Sequence, residues 1–223
     1  MIKILRFEGE KLNIGLAEIL RYAGCKKNAD EHIVSLIKKC ENEILPKIVC
    51  KACYDEFNIN FNENLIDLGF TKVKSTDLKK NLDGCEKIIL FAATIGIEMD
   101  RCIQKYSLLS PSNALIAQAV GAAAIEAWCD KLCEIFAKEQ EPLFLRPRFS
   151  PGYGDLSLDI QNDILTHLDC ARKIGLTATK NLMMTPTKSV TAIVGLSEFD
   201  FANCHTTGCG ACKNKNCGFK KEH

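Results

Sequence analysis

The sequence predicts an α+β protein with a mostly antiparallel sheet, flanking helices and a short Cys-rich tail. The prediction depends on two long apolar segments. Residues Lys87–Ile95 form a continuous apolar run typical of a buried strand, and residues from Pro111 to about Lys138 are typical of a long buried helix. Helical and strand-like segments follow one another without a regular β-α-β alternation. We therefore expect one sheet with its helices on one side.

The N-terminal part of the chain is predicted to contain two helices and one strand. Apolar residues at helical spacing predict a short helix over Asn13–Tyr22, which ends near Gly24. A second helix is predicted over Asp30–Ile44 and stops before Pro46. Residues Ile48–Phe61 alternate in part between apolar and polar side chains, which indicates a strand.

The C-terminal part is predicted to contain one more helix and two strands. Ser157 or Asp155 can accept hydrogen bonds from the first turn of a helix that runs through Cys170. Two strand-like segments follow, over Thr177–Met184 and Val190–Leu196.

Composition indicates a globular protein of the cytoplasm. Of 223 residues, 47% are hydrophobic and 26% are charged, and the formal net charge is +1. A nucleic-acid-binding protein usually shows a strongly basic patch, so we expect no nucleic-acid partner. We also expect no membrane partner, because no segment has the length of apolar sequence that a span needs. The composition changes after Asp200, which predicts a domain over residues 1–200 and a tail over residues 201–223.

Four cysteines in the tail have the spacing of metal ligands. Cys204, Cys209, Cys212 and Cys217 follow the pattern Cys-x4-Cys-x2-Cys-x4-Cys. The tail has few apolar residues, and metal binding is a usual way for such a segment to become ordered. The first three cysteines match the spacing of plant-type ferredoxins, which indicates an iron–sulfur cluster. Four thiolates also satisfy tetrahedral zinc, so both metals stay open.

The other cysteines are expected to be buried thiols. Cys50 and Cys53 lie three residues apart in a predicted strand, so their side chains point to opposite faces and do not chelate one ion. Cys129 and Cys133 share a face of the long helix, where free cysteine is usually buried.

The segment Arg148–Asp155 is the most informative part of the chain. Arg148 offers a planar fork of donors that suits a carboxylate. Pro151 and Gly152 predict a turn in which backbone can approach a ligand, and Tyr153 adds an aromatic face. A surface turn with a solvated arginine is the alternative. A dinucleotide-binding loop is excluded because the third glycine of that motif is missing.

In order and spacing, Arg148-x-x-Pro-Gly-Tyr153 resembles the S-adenosylmethionine-binding segment of the activation (reactivation) domain of cobalamin-dependent methionine synthase. Three further segments are similar to parts of that domain or of its stand-alone relatives, so that the resemblance spans roughly residues 85–197: Ala93–Arg101, the helix around Gly121–Ala127, and Leu182–Val190. The chain has no room for the cobalamin and substrate modules of a full methionine synthase. The resemblance therefore implies a stand-alone protein that acts in trans.

The resemblance implies binding of S-adenosylmethionine and support of the reductive methylation that returns oxidised cobalamin to methylcobalamin. Arg148 is then expected to bind the ligand's carboxylate, and the segment Ser150, Pro151, Gly152 and Tyr153 to contact the rest of the ligand. Glu126 is the candidate for the ligand's ammonium or ribose, and a helix-surface charge is the alternative. The protein would be an accessory component of a methyltransferase.

The same resemblance implies partners. Cobalamin would be supplied by a corrinoid-binding methyltransferase, either methionine synthase or a relative, and electrons by a donor such as flavodoxin or ferredoxin. Reactivation needs an electron, so the resemblance favours an iron–sulfur cluster over zinc at the tail cysteines. An electron-transfer or docking module for a corrinoid protein, centred on that cluster, is the alternative function. Lys188 is expected to be a solvated lysine of a turn, and contact with the corrinoid or partner is its alternative.

Overall fold

The computed structural model describes residues 1–25, 30–62 and 65–199. Its largest sheet contains the strands β1 (Lys3–Glu8), β2 (Val49–Asn58), β6 (Cys85–Thr94), β7 (Phe144–Leu145) and β10 (Ser189–Ser197). These five strands are antiparallel and lie in the order β1-β2-β6-β10-β7. Two small antiparallel sheets accompany it and contain β3 (Asn60–Phe61), β4 (Ile66–Asp67), β5 (Lys72–Val73), β8 (Thr177–Ala178) and β9 (Met184–Thr185).

The described residues form seven α-helices and three short 3-10 segments. The helices are α1 (Leu16–Tyr22), α2 (Glu31–Ile44), α3 (Thr76–Asn81), α4 (Ile97–Leu109), α5 (Pro111–Glu139), α6 (Gln161–His167) and α7 (Cys170–Ile174). The 3-10 segments are Gly9–Lys11, Leu45–Lys47 and Leu158–Ile160. The mix of antiparallel strands and helices confirms the predicted α+β class.

Two helices begin where the sequence places a capping residue. Asp30 accepts a hydrogen bond from the backbone N–H of His32 at the start of α2. At the start of α5, Ser110 accepts from the backbone N–H of Asn113, and Pro111 occupies the first turn, where its missing N–H has no consequence. The predicted bounds of both helices are confirmed.

The central sheet is covered on both faces, so the expectation of helices on one side is wrong. One core cluster lies between the sheet and α1, α2, α4 and α5, and contains Phe91, Trp128 and Phe136. A second core cluster on the opposite face packs α3, α6 and α7 against Ile88 and Leu90. Successive residues of β6 therefore enter different cores, which is why its apolar run is continuous.

The single helix predicted through Cys170 is divided. Ser157 caps only the 3-10 segment that precedes α6, by accepting from the N–H of Asp159. Asp169 has a left-handed φ of 50°, which separates α6 from α7. Asp155 instead accepts hydrogen bonds at the start of α3, from the N–H groups of Thr76 at 2.7 Å and Asp77 at 3.1 Å. This long-range cap fixes the segment after Tyr153 to a distant helix.

The predicted strand over Val190–Leu196 is confirmed as β10, whereas the segment Thr177–Met184 is strand only at its ends. Cys50 and Cys53 lie in different core clusters, as their spacing in β2 predicts. Cys129 is fully buried and Cys133 is half-buried. Among residues 1–25, 30–62 and 65–199, no helix combines the length and the hydropathy of a membrane span.

Candidate functional site

Arg148 is held at the edge of the central sheet, where the chain continues beyond β7 along β10. Phe149 and Ile193 exchange two backbone hydrogen bonds of 2.9 Å, and the backbone N–H of Arg146 donates to the carbonyl of Gly195 at 2.8 Å. Phe149 packs against the second core cluster, whereas the neighbouring side chain of Arg148 points to α5 on the other face. The strand pairing therefore aims Arg148 at the long helix.

The guanidinium of Arg148 meets two carboxylates on consecutive turns of α5. Its Nη2 donates to Oε2 of Glu126 at 3.0 Å and also lies 3.0 Å from Oδ1 of Asp130. Glu126 and Asp130 are four residues apart, so both project from one side of the helix. The structure thus brings together Arg148 and Glu126, which the sequence predicts for one ligand. Asp130 was missed, although its helical spacing from Glu126 is a signal that would have found it.

Burial and neighbouring charges shift the pKa of Arg148 in opposite directions. Burial lowers the pKa of the guanidinium, but the negative charges of Cys129 and Cys133, which exist only once these thiols deprotonate at high pH, and of the two carboxylates outweigh it, so that the pKa of Arg148 is raised above its usual value. Burial also raises the pKa of both thiols, which keeps them neutral near pH 7. Two negative carboxylates therefore share one positive guanidinium, and this side of α5 keeps a net negative charge.

A groove of about 460 Å³ runs beside this charge cluster, between the residues around α1 and the outer face of α5. Its size lies in the range of small-molecule binding sites. Glu126 and Asp130 form part of its wall, so the partners of Arg148 are also groove residues. The remaining lining residues are Phe7, Lys11, Leu12, Asn13, Ile14, Gly15, Glu18, Ala123, Ala127, Lys131 and Glu134.

Helix α1 contributes polar side chains that sequence motifs do not indicate. Arg21 forms an ion pair of 2.6 Å with Glu18 and lies over the ring of Tyr22, with 4.1 Å between its Cζ and the ring centroid. Burial raises the pKa of Tyr22, and the nearby Glu126 raises it further. These residues reach α5 only through the packing of α1, and no local pattern shows that contact.

The segment Ser150–Tyr153 forms a tight turn with its own hydrogen bonds. The N–H of Tyr153 donates to the carbonyl of Ser150 at 3.0 Å, and the N–H of Gly152 donates to that of Leu156 at 2.9 Å. Gly152 has a φ of +86°, a conformation that favours glycine. Pro151 is buried and Ser150 is half-buried. Because both N–H groups have partners in the turn, they are not available to a ligand in this conformation.

Tyr153 lies apart from the charge cluster around Arg148. Its ring packs edge-on against Phe149, with 6.2 Å between the ring centroids. Phe149 itself packs against the second core cluster, on the face of the sheet opposite α5. Tyr153 is 51% exposed. The Arg-to-Tyr motif is therefore divided between two faces of the sheet edge.

The expectation that Lys188 is solvated is wrong. Its side chain is half-buried against α5, where its Cε would lie 3.1 Å from a Cβ placed on Gly121. The missing side chain of Gly121 leaves the space that the lysine stem fills. Burial lowers the pKa of Lys188, and the carboxylate of Asp100 opposes this shift in part.

The predicted metal ligands Cys204, Cys209, Cys212 and Cys217 lie outside the described residues, as does the predicted tail domain. In the described part of the chain, His, Cys, Asp and Glu side chains form no group of three or more that could hold a metal ion.

Comparison with known proteins places the fold. Searches with protein-family models and against curated proteins return no significant match. A search of solved structures returns a significant match. It is the MetH reactivation domain bound to AdoHcy (S-adenosylhomocysteine), with a TM-score of 0.67 and 15% sequence identity, over 87% of this chain and 78% of that one. The chain therefore has the fold of this domain.

Proposed function

We propose that the protein binds S-adenosylmethionine in the groove beside α5, with Arg148 and Glu126 contacting the amino-acid part of the ligand. The observation that carries the proposal is the Arg148–Glu126 ion pair of 3.0 Å, in which the Glu126 side chain also lines a groove of about 460 Å³. A zwitterionic amino acid needs one cationic and one anionic partner, and this pair supplies both. The shared fold with an AdoHcy-bound domain supports the same ligand class.

The charge of the groove suits the sulfonium form of the ligand. Glu18 is paired with Arg21, and Glu134 with Lys131 at 2.7 Å, so these charges are balanced locally. At Arg148, by contrast, two carboxylates meet one cation. S-adenosylmethionine carries one carboxylate, one ammonium and one sulfonium, and its net positive charge complements this excess.

We propose that the bound ligand donates its sulfonium methyl group to the reduced cobalt of a corrinoid protein that acts in trans. One electron and one methyl cation convert cob(II)alamin to methylcobalamin, and S-adenosylhomocysteine leaves. The sulfonium is already a good leaving group, so the protein contributes binding and orientation rather than an acid or a base. The corrinoid methyltransferase is the proposed partner, and a flavodoxin or ferredoxin is the proposed electron donor.

We propose further that the tail cysteines would hold an iron–sulfur cluster, which would supply one-electron transfer chemistry, with structural zinc as the alternative. The ferredoxin-like spacing of Cys204, Cys209 and Cys212 supports the cluster. Deletion of the residues after Asp200 tests the role: if reductive methylation of a corrinoid protein persists at full rate, the tail is not the electron entry point. A colourless protein that contains zinc contradicts the cluster directly.

The binding proposal is tested at Glu126. The variant Glu126→Gln keeps the shape of the side chain but removes its charge, so it should weaken binding of S-adenosylmethionine by about five- to thirty-fold in equilibrium dialysis. The control Glu98→Gln removes an exposed carboxylate of α4 that is paired with Arg101, and should bind like the wild type. Equal affinity in Glu126→Gln and wild type removes Glu126 from the site.

A further inference from the structure

Arg148 uses one nitrogen for both of its carboxylate contacts. Glu126 and Asp130 each lie 3.0 Å from Nη2. Nη1 is buried and has no hydrogen-bond partner among the residues that the structure describes. A bidentate guanidinium–carboxylate pair uses two nitrogens, so the present contacts are not the strongest that this group can form. The guanidinium must shift before a ligand carboxylate can reach Nη1.

Glu126 and Asp130 differ in how readily each can separate from the guanidinium of Arg148. The side chain of Asp130 is 66% exposed, whereas that of Glu126 is 41% exposed. The Glu126 contact also has the geometry of a hydrogen bond. An exposed ion pair contributes little, because water rehydrates the released carboxylate at once. Asp130 is therefore the weaker partner and the one that separates first.

We propose that Asp130 is an internal competitor for Arg148, displaced when the carboxylate of the ligand binds. This inference rests on the proposed binding of S-adenosylmethionine and deepens it, because it assigns opposite roles to two neighbouring carboxylates. Glu126 stays at the site and faces the ligand's ammonium. Asp130 holds the guanidinium in the free protein and repels an incoming carboxylate. Removing its charge should therefore strengthen binding.

The test compares Asp130→Asn with the wild type by calorimetric titration of S-adenosylmethionine. Asparagine keeps the size of the side chain, and its exposed position on α5 leaves the fold intact. We expect the Kd of the variant to fall by about two- to five-fold, which corresponds to the release of one exposed ion pair. The loss of one negative charge beside the groove would by itself weaken the binding of this cationic ligand, so stronger binding by the variant shows that release of Arg148 outweighs the lost charge complementarity.

The outcomes separate this inference from the proposed function. If the wild type binds and Asp130→Asn binds equally or more weakly, Asp130 is not a competitor, and the proposed function stands without it. If neither protein gives heat at millimolar ligand, the proposed function itself fails. The control Glu98→Gln should match the wild type, because Glu98 pairs with Arg101 on α4, away from Arg148 and α5.

Discussion

Replacement of Arg148 by alanine should reduce the affinity for S-adenosylmethionine by about five- to thirty-fold. A hydrogen-bonded contact between the guanidinium and a ligand carboxylate contributes about 1.5–3 kcal/mol. Binding gives up the exposed contact with Asp130, which contributes up to about 1 kcal/mol, so that about 0.5–3 kcal/mol remains, and the middle of this range, about 1–2 kcal/mol, is the expected loss. The carboxylates left behind are 41% and 66% exposed, and water can solvate them.

The measurement is a calorimetric titration with S-adenosylmethionine, accompanied by thermal unfolding to show that the variant folds. Arg148→Lys keeps the positive charge but loses the planar fork, so its affinity should fall between wild type and Arg148→Ala. Arg101→Ala is the matched control, since Arg101 pairs with a carboxylate three residues away on α4 and is 67% exposed. A Kd for Arg148→Ala within twofold of the wild type would refute the proposed role of Arg148.

Two further predictions concern stability. Phe136→Ala should lower the free energy of unfolding, measured by urea denaturation, by about 3–5 kcal/mol. The reason is that Phe136 is fully buried and its ring centroid lies 4.7 Å from that of Tyr54. A loss below about 1 kcal/mol would contradict this packing. The hydroxyl of Ser75 and the N–H groups at the start of α3 lower the pKa of Asp155 to about 2. Its stabilising effect is therefore complete above the unfolded-state pKa near 4 and is lost as pH falls toward 2. Asp155→Asn should melt below the wild type at pH 7 and lose less stability between pH 4 and pH 2, and parallel melting curves for the two proteins would contradict the cap.

The elements that were predicted well carry their signals in adjacent residues. Helices α2 and α5 have a capping residue at the start and, in α5, a proline in the first turn. The apolar run of β6 marks a buried strand, and its continuity is also the signature of a sheet covered on both faces. The expectation of helices on one side of the sheet did not take into account that a continuous apolar strand indicates burial of both faces.

The errors concern contacts between distant parts of the chain. Asp155 looks like the cap of the helix that follows it, but it caps α3, which begins 79 residues earlier at Thr76. Local sequence does not distinguish the two, because the same carboxylate suits either helix start. Lys188 is half-buried beside Gly121 of α5, where the missing side chain of the glycine leaves space for the lysine stem. Residue type alone predicts exposure for a lysine in a turn.

The candidate site was predicted in part. The motif resemblance selects Arg148 and Glu126, and the structure joins them at 3.0 Å. The resemblance does not indicate that Tyr153 lies against Phe149 on the other face of the sheet edge, or that Asp130 competes for the same guanidinium nitrogen of Arg148. Both features depend on how the strand edge packs against α5.

Binding of S-adenosylmethionine is measured by titrating the as-purified protein with this ligand in an anaerobic calorimeter, after its iron and zinc have been determined. We expect binding of one ligand per chain with a Kd on the order of micromolar. The absence of heat at millimolar ligand would contradict it, and the shared fold would then serve docking or electron transfer instead.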